Sequence, residues 1–168
     1  MPRDGSGGYA IDHLATFTGE FLLHTLKREE REMAQRISVK LTGTLTDDEN
    51  WPWTDETAPV ALEGAAVVGG PGQVISLINV DYPCAGDEVR LVVQITGALL
   101  GDGTTVQLGA TFTLLEGTDC TTTDPEGEPL HITQDVPNLD FANVPVIVPG
   151  DGAGSFRGQL TVVNFPVV

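Results

Sequence analysis

The chain has 168 residues, of which 40% are apolar and 19% charged, and its formal net charge at pH 7 is −16. Residues 1–40 contain six basic and six acidic side chains, whereas residues 41–168 contain two basic and 18 acidic ones and carry the whole net charge. Lysine and arginine bind phosphate backbones, so an acidic body of this kind is a poor partner for nucleic acid or an anionic membrane. No stretch approaches the ~20 apolar residues of a membrane-spanning helix, so membrane insertion is not expected.

Residues 1–36 are predicted to form an N-terminal arm that ends in a short helix. The first eight residues are glycine-rich and lack the apolar segment of a signal peptide. Over residues 19–36, opposite charges recur four positions apart, as they do on helix surfaces. One face of this helix is apolar and consists of Leu22, Leu26, Met33 and Ile37. Packing on the same domain and oligomerisation are both open roles for such a helix.

From Ile37 onward, the apolar pattern changes to strict alternation, which is typical of half-buried strands. The first strand starts there, and seven more are predicted at 59–68, 73–80, 88–99, 104–115, 129–134, 143–148 and 155–165. Residues 37–168 are therefore expected to form an acidic, antiparallel β-sandwich of about eight strands, jelly-roll or Ig-like. The last strand is apolar and β-branched, and it is either internal or completes a neighbour's sheet.

The pair Asp102-Gly103 predicts a hairpin with a two-residue type I′ turn. In this register Leu91 lies opposite Leu114, and Leu99 lies opposite Val106. One face of the hairpin is then apolar throughout, whereas a shift by one residue would mix the two faces. The pattern therefore specifies the register.

The same ladder, extended past the strands, brings Cys84 and Cys120 together with an offset of one residue. A disulfide between these two cysteines is predicted, and two separate thiols in a reducing compartment are the alternative. A disulfide would indicate an oxidising location such as an extracellular or virion setting. The lack of a recognisable leader conflicts with export.

No catalytic motif is recognisable, so the chain is not expected to be an enzyme. The three histidines lie in no known motif, and none of the serines lies in a Gly-x-Ser-x-Gly turn. The glycine-rich segment 150–155 lacks the lysine of a phosphate loop, and a strand pattern follows it instead of a helix.

Two acidic loops, within residues 47–56 and 119–128, are candidates for binding Ca²⁺, which prefers clustered carboxylates and carbonyls. The candidate ligands are Asp47, Asp48, Asp119, Asp124 and Glu126. Neither loop has EF-hand spacing, and solvated acidic turns are the alternative. No other cofactor is expected.

Together these patterns favour a non-catalytic structural protein that self-assembles, such as a filament, shell or virion component. Its partners would be further copies of the chain or other protein subunits. The predicted contacts of the arm with acids on a neighbouring body are Lys27, Arg28, Arg31 and Arg36. The alternative is a calcium- or carbohydrate-binding β-sandwich module. There, Trp51 and Trp53 would stack on a glycan or anchor a partner, although they could equally plug the end of the sandwich.

Overall fold

The computed structural model describes residues 34–48, 54–86, 88–121, 123–150 and 154–167. All regular secondary structure in these ranges is β-strand. The eight strands are β1 (Gln35–Asp47), β2 (Glu56–Val68), β3 (Val74–Ala85), β4 (Val89–Leu99), β5 (Val106–Leu115), β6 (Leu130–Val136), β7 (Asp140–Pro149) and β8 (Gly154–Pro166). The prediction of an all-β fold with two antiparallel sheets is confirmed.

The predicted arm and residues 19–33 of the predicted helix lie outside the described residues. The C-terminal end of that helix prediction is wrong, because Gln35 and Arg36 are the first two residues of β1. Ile37 is fully buried between the sheets and does not belong to a helical stripe. Strand β1 therefore begins two residues earlier than the charge pattern indicates, because tertiary packing outweighs the helical pattern there.

The eight strands form two four-stranded sheets, with the orders β2-β1-β8-β7 and β3-β4-β5-β6. All neighbouring strands within each sheet are antiparallel. The first strand, β1, pairs with the last, β8. Jelly-roll and Ig-like sandwiches contain Greek keys, in which a long connection returns a strand beside a distant one. Here each strand is followed by its neighbour in the same sheet, except where the chain passes from one sheet to the other between β2 and β3 and between β6 and β7, so the jelly-roll or Ig-like prediction is corrected to an up-and-down order.

The register predicted for the β4–β5 hairpin is confirmed, with Leu91 opposite Leu114 and Leu99 opposite Val106. The type I′ turn is wrong, since only the second of its two central residues has a positive φ, 71° at Gly103. Instead, the Asp102 carboxylate accepts hydrogen bonds from the backbone N–H groups of Thr104 and Thr105, which favours a wider turn. The hydrogen bond from the Thr105 hydroxyl contributes most to lowering the pKa of Asp102 to about 2, followed by these two backbone bonds.

The core lies between the inner faces of the two sheets. In β1, the alternating residues predicted to face inward, Ile37, Val39, Leu41 and Leu45, are all buried. Across the core, the rings of Phe112 on β5 and Phe156 on β8 stack with their centroids 6.4 Å apart. Strand β8 is internal, between β1 and β7, so its apolar residues do not form a sheet edge.

The two ends of the sandwich differ in chemistry. We call the end formed by Asp47, the β3–β4 turn and the β5–β6 connection the acidic end, since eight of the 18 acidic residues of the body occur in these segments. The opposite end contains the start of β1, the end of β8 and the β6–β7 connection. The chain preceding residue 34 therefore joins the sandwich at the end opposite the acidic end.

Candidate functional site

A disulfide joins Cys84, near the end of β3, to Cys120 in the connection after β5, with a Cα–Cα distance of 5.7 Å. The predicted pairing is confirmed. The bond ties the long β5–β6 connection to the second sheet at the acidic end. Because this connection contains Asp119, Asp124 and Glu126, the disulfide restricts where these carboxylates can lie.

Three carboxylates from different elements converge at the acidic end. Asp47, at the end of β1, is only 2% exposed and packs against Gly86 in the β3–β4 turn. Glu116 directly follows β5, and its backbone N–H donates to the Asp124 carbonyl at 3.1 Å. Glu126 donates its N–H to the Leu114 carbonyl at 2.9 Å, which holds it beside the same strand.

This convergence raises the pKa of Glu116 to about 7. Burial is the largest cause, followed by a side-chain hydrogen bond with Glu126 and by the negative charges of Glu126, Asp47 and Glu88. A carboxyl group of this kind holds a proton near neutral pH, which allows it to share a hydrogen bond with a second carboxyl group.

The five predicted calcium ligands are only partly brought together. Asp47 and Glu126 both approach Glu116, whereas Asp48 and Asp124 are exposed. Asp119 accepts hydrogen bonds from the backbone N–H and the hydroxyl of Thr121, and these bonds lower its pKa. Within the described ranges, no three Asp, Glu, His or Cys side chains are arranged to hold a metal ion.

Sequence reasoning missed Glu116 and Glu88 because each lies beside a strand, outside the two acidic loops. The hairpin register could have indicated that these two acids lie close together, since it places the end of β5 next to the start of β4.

Of the predicted partner contacts, Lys27, Arg28, Arg31, Trp51 and Trp53 lie outside the described residues. Arg36 is described: it is exposed on the outer face of the first sheet, paired with Val67 on one side and Phe165 on the other. Its neighbours on this face are thus large apolar side chains.

These neighbours belong to a surface that sequence reasoning did not identify. At the end opposite the acidic end, the outer face of the first sheet presents a group of apolar side chains that we call the outer patch. It consists of Val67 (50% exposed), Phe141 (62%), Phe165 (43%) and the half-buried Val163 on the strands, together with Leu139 (74%) in the connection that directly precedes β7. Phe141 pairs with Val163 across β7 and β8, and Ser38 pairs with Val163 across β1 and β8.

Leu139 also has an unfavourable backbone conformation. Its φ is 59°, and it is the sole non-glycine residue with a positive φ in the described part of the chain. This left-handed conformation costs a leucine about 1–2 kcal/mol. Leu139 is therefore held at a strained position with its side chain in solvent.

The chain matches no protein-family model, and its sequence has no significant match among curated proteins. Across the ranges that the structure describes, no helix is long and apolar enough to span a membrane.

Proposed function

We propose that this protein is a non-catalytic structural subunit that self-associates through the outer patch. The observation that carries the proposal is the clustering of Val67, Phe141 and Phe165 at one end of one sheet face, with the exposed Leu139 directly before β7 at the same end. Contiguous exposed apolar surface usually marks an interaction site, whereas scattered apolar residues do not.

The conformation of Leu139 supports this proposal independently. The left-handed backbone conformation of this leucine is unfavourable, and its solvent-exposed side chain contributes no burial free energy to offset that cost. Asparagine or glycine would relieve the strain at the same position. In the isolated sandwich the Leu139 side chain stabilises nothing. Its burial by a partner gives this leucine a stabilising contact.

The disulfide between Cys84 and Cys120 supports an oxidising location such as an extracellular or virion setting. The calcium- or carbohydrate-binding alternative has less support. Asp47 and Glu126 do approach a third carboxylate, but the tryptophans that would stack on a sugar fall outside the described residues.

The test is sedimentation velocity of the full chain and of Phe141→Lys over a wide concentration range, with and without Ca²⁺. Phe141→Lys should abolish association, because a charged side chain would have to be buried without a partner. The matched control is Ile147→Lys, at an equally apolar and exposed (57%) position of β7 outside the patch, which should associate normally. Equal association of both variants and the unmodified chain would refute the patch as the interface. Association that requires Ca²⁺ would favour the metal-binding alternative.

A further inference from the structure

We infer that the outer patch of one copy is covered by residues 19–33 of a second copy. This inference rests on the proposed self-association and names the surface that meets the patch. It follows from where the chain leaves the sheet, from the apolar pattern of the segment, and from the distribution of charge.

The segment joins the sandwich beside the outer patch. Residue 34 immediately precedes β1, and Arg36 lies in the same row of the sheet as Val67 and Phe165. The preceding residues therefore begin within a few ångströms of the apolar surface at this end, and they begin far from the acidic end.

The direction of the chain favours a second copy over the same one. The Val167 N–H donates to the Ala34 carbonyl at 3.0 Å, and Gln35 pairs with Pro166, so the β1–β8 ladder continues to the first described residue. At residue 34 the chain thus still points along the line of β1, toward the end of the sheet and not across its own outer face. A copy lying beyond this end can present its own outer patch to the segment.

The apolar pattern of the segment matches the size of the surface. Leu22, Leu26 and Met33 recur on one side of the helix predicted for this region. Fifteen helical residues span about 22 Å. The four strands of the sheet are about 14 Å across. One helix laid across the strands is therefore long enough to cover the patch.

Charge favours the segment over direct contact between two outer patches. Residues 41–168 carry the whole net charge of −16, so two bodies placed face to face repel each other. The segment contains Lys27, Arg28 and Arg31 together with four acidic residues, so its net charge of −1 opposes the acidic body far less than a second body does. It can place its cations beside the exposed Asp140 at the border of the patch. Complementary charge at the rim of an interface speeds association and fixes orientation.

The first test is the double substitution Leu22→Asp with Leu26→Asp in the full chain. It should weaken association by roughly 30-fold or more, since two apolar contacts are lost. The control Thr25→Asp adds a like charge off the apolar stripe and should change association less than threefold. Unchanged thermal unfolding of both variants, at a concentration where the chain is dissociated, shows that the sandwich remains folded.

The second test identifies which copy donates the segment. Lys27 and Lys40 are the only lysines in the chain, so zero-length lysine–carboxylate crosslinks are simple to assign. Unlabelled and ¹⁵N-labelled copies are mixed and crosslinked. Lys40 and Glu63 form an ion pair at 2.9 Å within one copy and serve as the internal control, with no mixed-isotope product expected. Crosslinks from Lys27 to Asp140 should contain mixed isotopes.

The outcomes separate this inference from the proposed function. Loss of association in both the Phe141→Lys and the leucine variants, with mixed-isotope Lys27 crosslinks, supports both. Loss in Phe141→Lys alone keeps the proposed function and overturns the inference, because the patches then meet without the segment. Lys27 crosslinks confined to one isotope also overturn the inference, because the segment then covers the patch of its own copy. Association that neither change affects overturns both.

Discussion

Replacing Leu139 by glycine should make the single sandwich more stable and its self-association weaker. If Leu139 had only a structural role, its replacement would change the free energy of unfolding alone. If it had only a surface contact with a partner, its replacement would change association alone. The opposite signs follow from the two facts about this residue, its φ of 59° and its 74% exposed side chain.

The size of each effect follows from the geometry of Leu139. The left-handed conformation costs leucine about 1–2 kcal/mol, and ordering a glycine costs about 0.5–1 kcal/mol, so the net gain is about 0.5–1 kcal/mol. Full burial of a leucine side chain contributes about 1.5–3 kcal/mol. With 74% of the side chain still exposed, the loss on association is about 1–2 kcal/mol, or roughly 5–30-fold in the dissociation constant.

The assay combines urea unfolding at a concentration where the chain is dissociated with sedimentation at higher concentration. The matched control is Leu139→Ala, which removes most of the apolar side chain and keeps the strained backbone. It should weaken association to a similar degree without stabilising the fold. The reasoning is refuted if Leu139→Gly associates as tightly as the unmodified chain, or if glycine and alanine have the same effect on stability.

Three further predictions concern the fold and the acidic end. Joint replacement of Cys84 and Cys120 by alanine should lower the free energy of unfolding by about 4 kcal/mol, measured in urea, because their disulfide closes a loop with a sequence separation of 36; an unchanged midpoint would contradict this. Phe156→Ala should cost about 3–5 kcal/mol, since its fully buried ring stacks on a second phenylalanine across the core; a loss under 1 kcal/mol in the same assay would show that the sheets pack without it. The folded-state pKa of Glu116 is about 7, above its ordinary 4.5, so the folded state binds the extra proton and stability should rise as the pH falls from 8 to 5. Glu116→Gln should flatten this dependence in urea midpoints taken across that range, whereas an equally steep profile in the variant would assign it to another group.

The strands and one register could be predicted from the sequence because they depend on local pattern. All eight strands occur close to their predicted positions, and the apolar alternation of β4 and β5 fixes their pairing through to the disulfide. The turn type could not be predicted from Asp102-Gly103, since the hydrogen bonds that the Asp102 carboxylate accepts from Thr104 and Thr105 outweigh the usual preference of this dipeptide. The order of strands across the two sheets depends on contacts between distant segments. The periodicity of apolar residues does not reveal these contacts.

The candidate surfaces were less predictable than the fold. Phe141 and Ile147 are visible in the sequence as apolar residues on the second face of a strand, but the clustering of Phe141 with Val67 and Phe165 requires the pairing of four strands. The acidic residues near Asp47 were identified individually. Their convergence on Glu116 depends on the β5–β6 connection folding back along β5, which composition does not indicate.

The most direct test of self-association is the molar mass of the full, disulfide-intact chain by light scattering across a broad concentration range. The account predicts a mass that rises with concentration from the 17.8 kDa of one chain to a multiple of it. A mass that stays at 17.8 kDa at the highest concentration would contradict the central claim that the outer patch is an interface between copies.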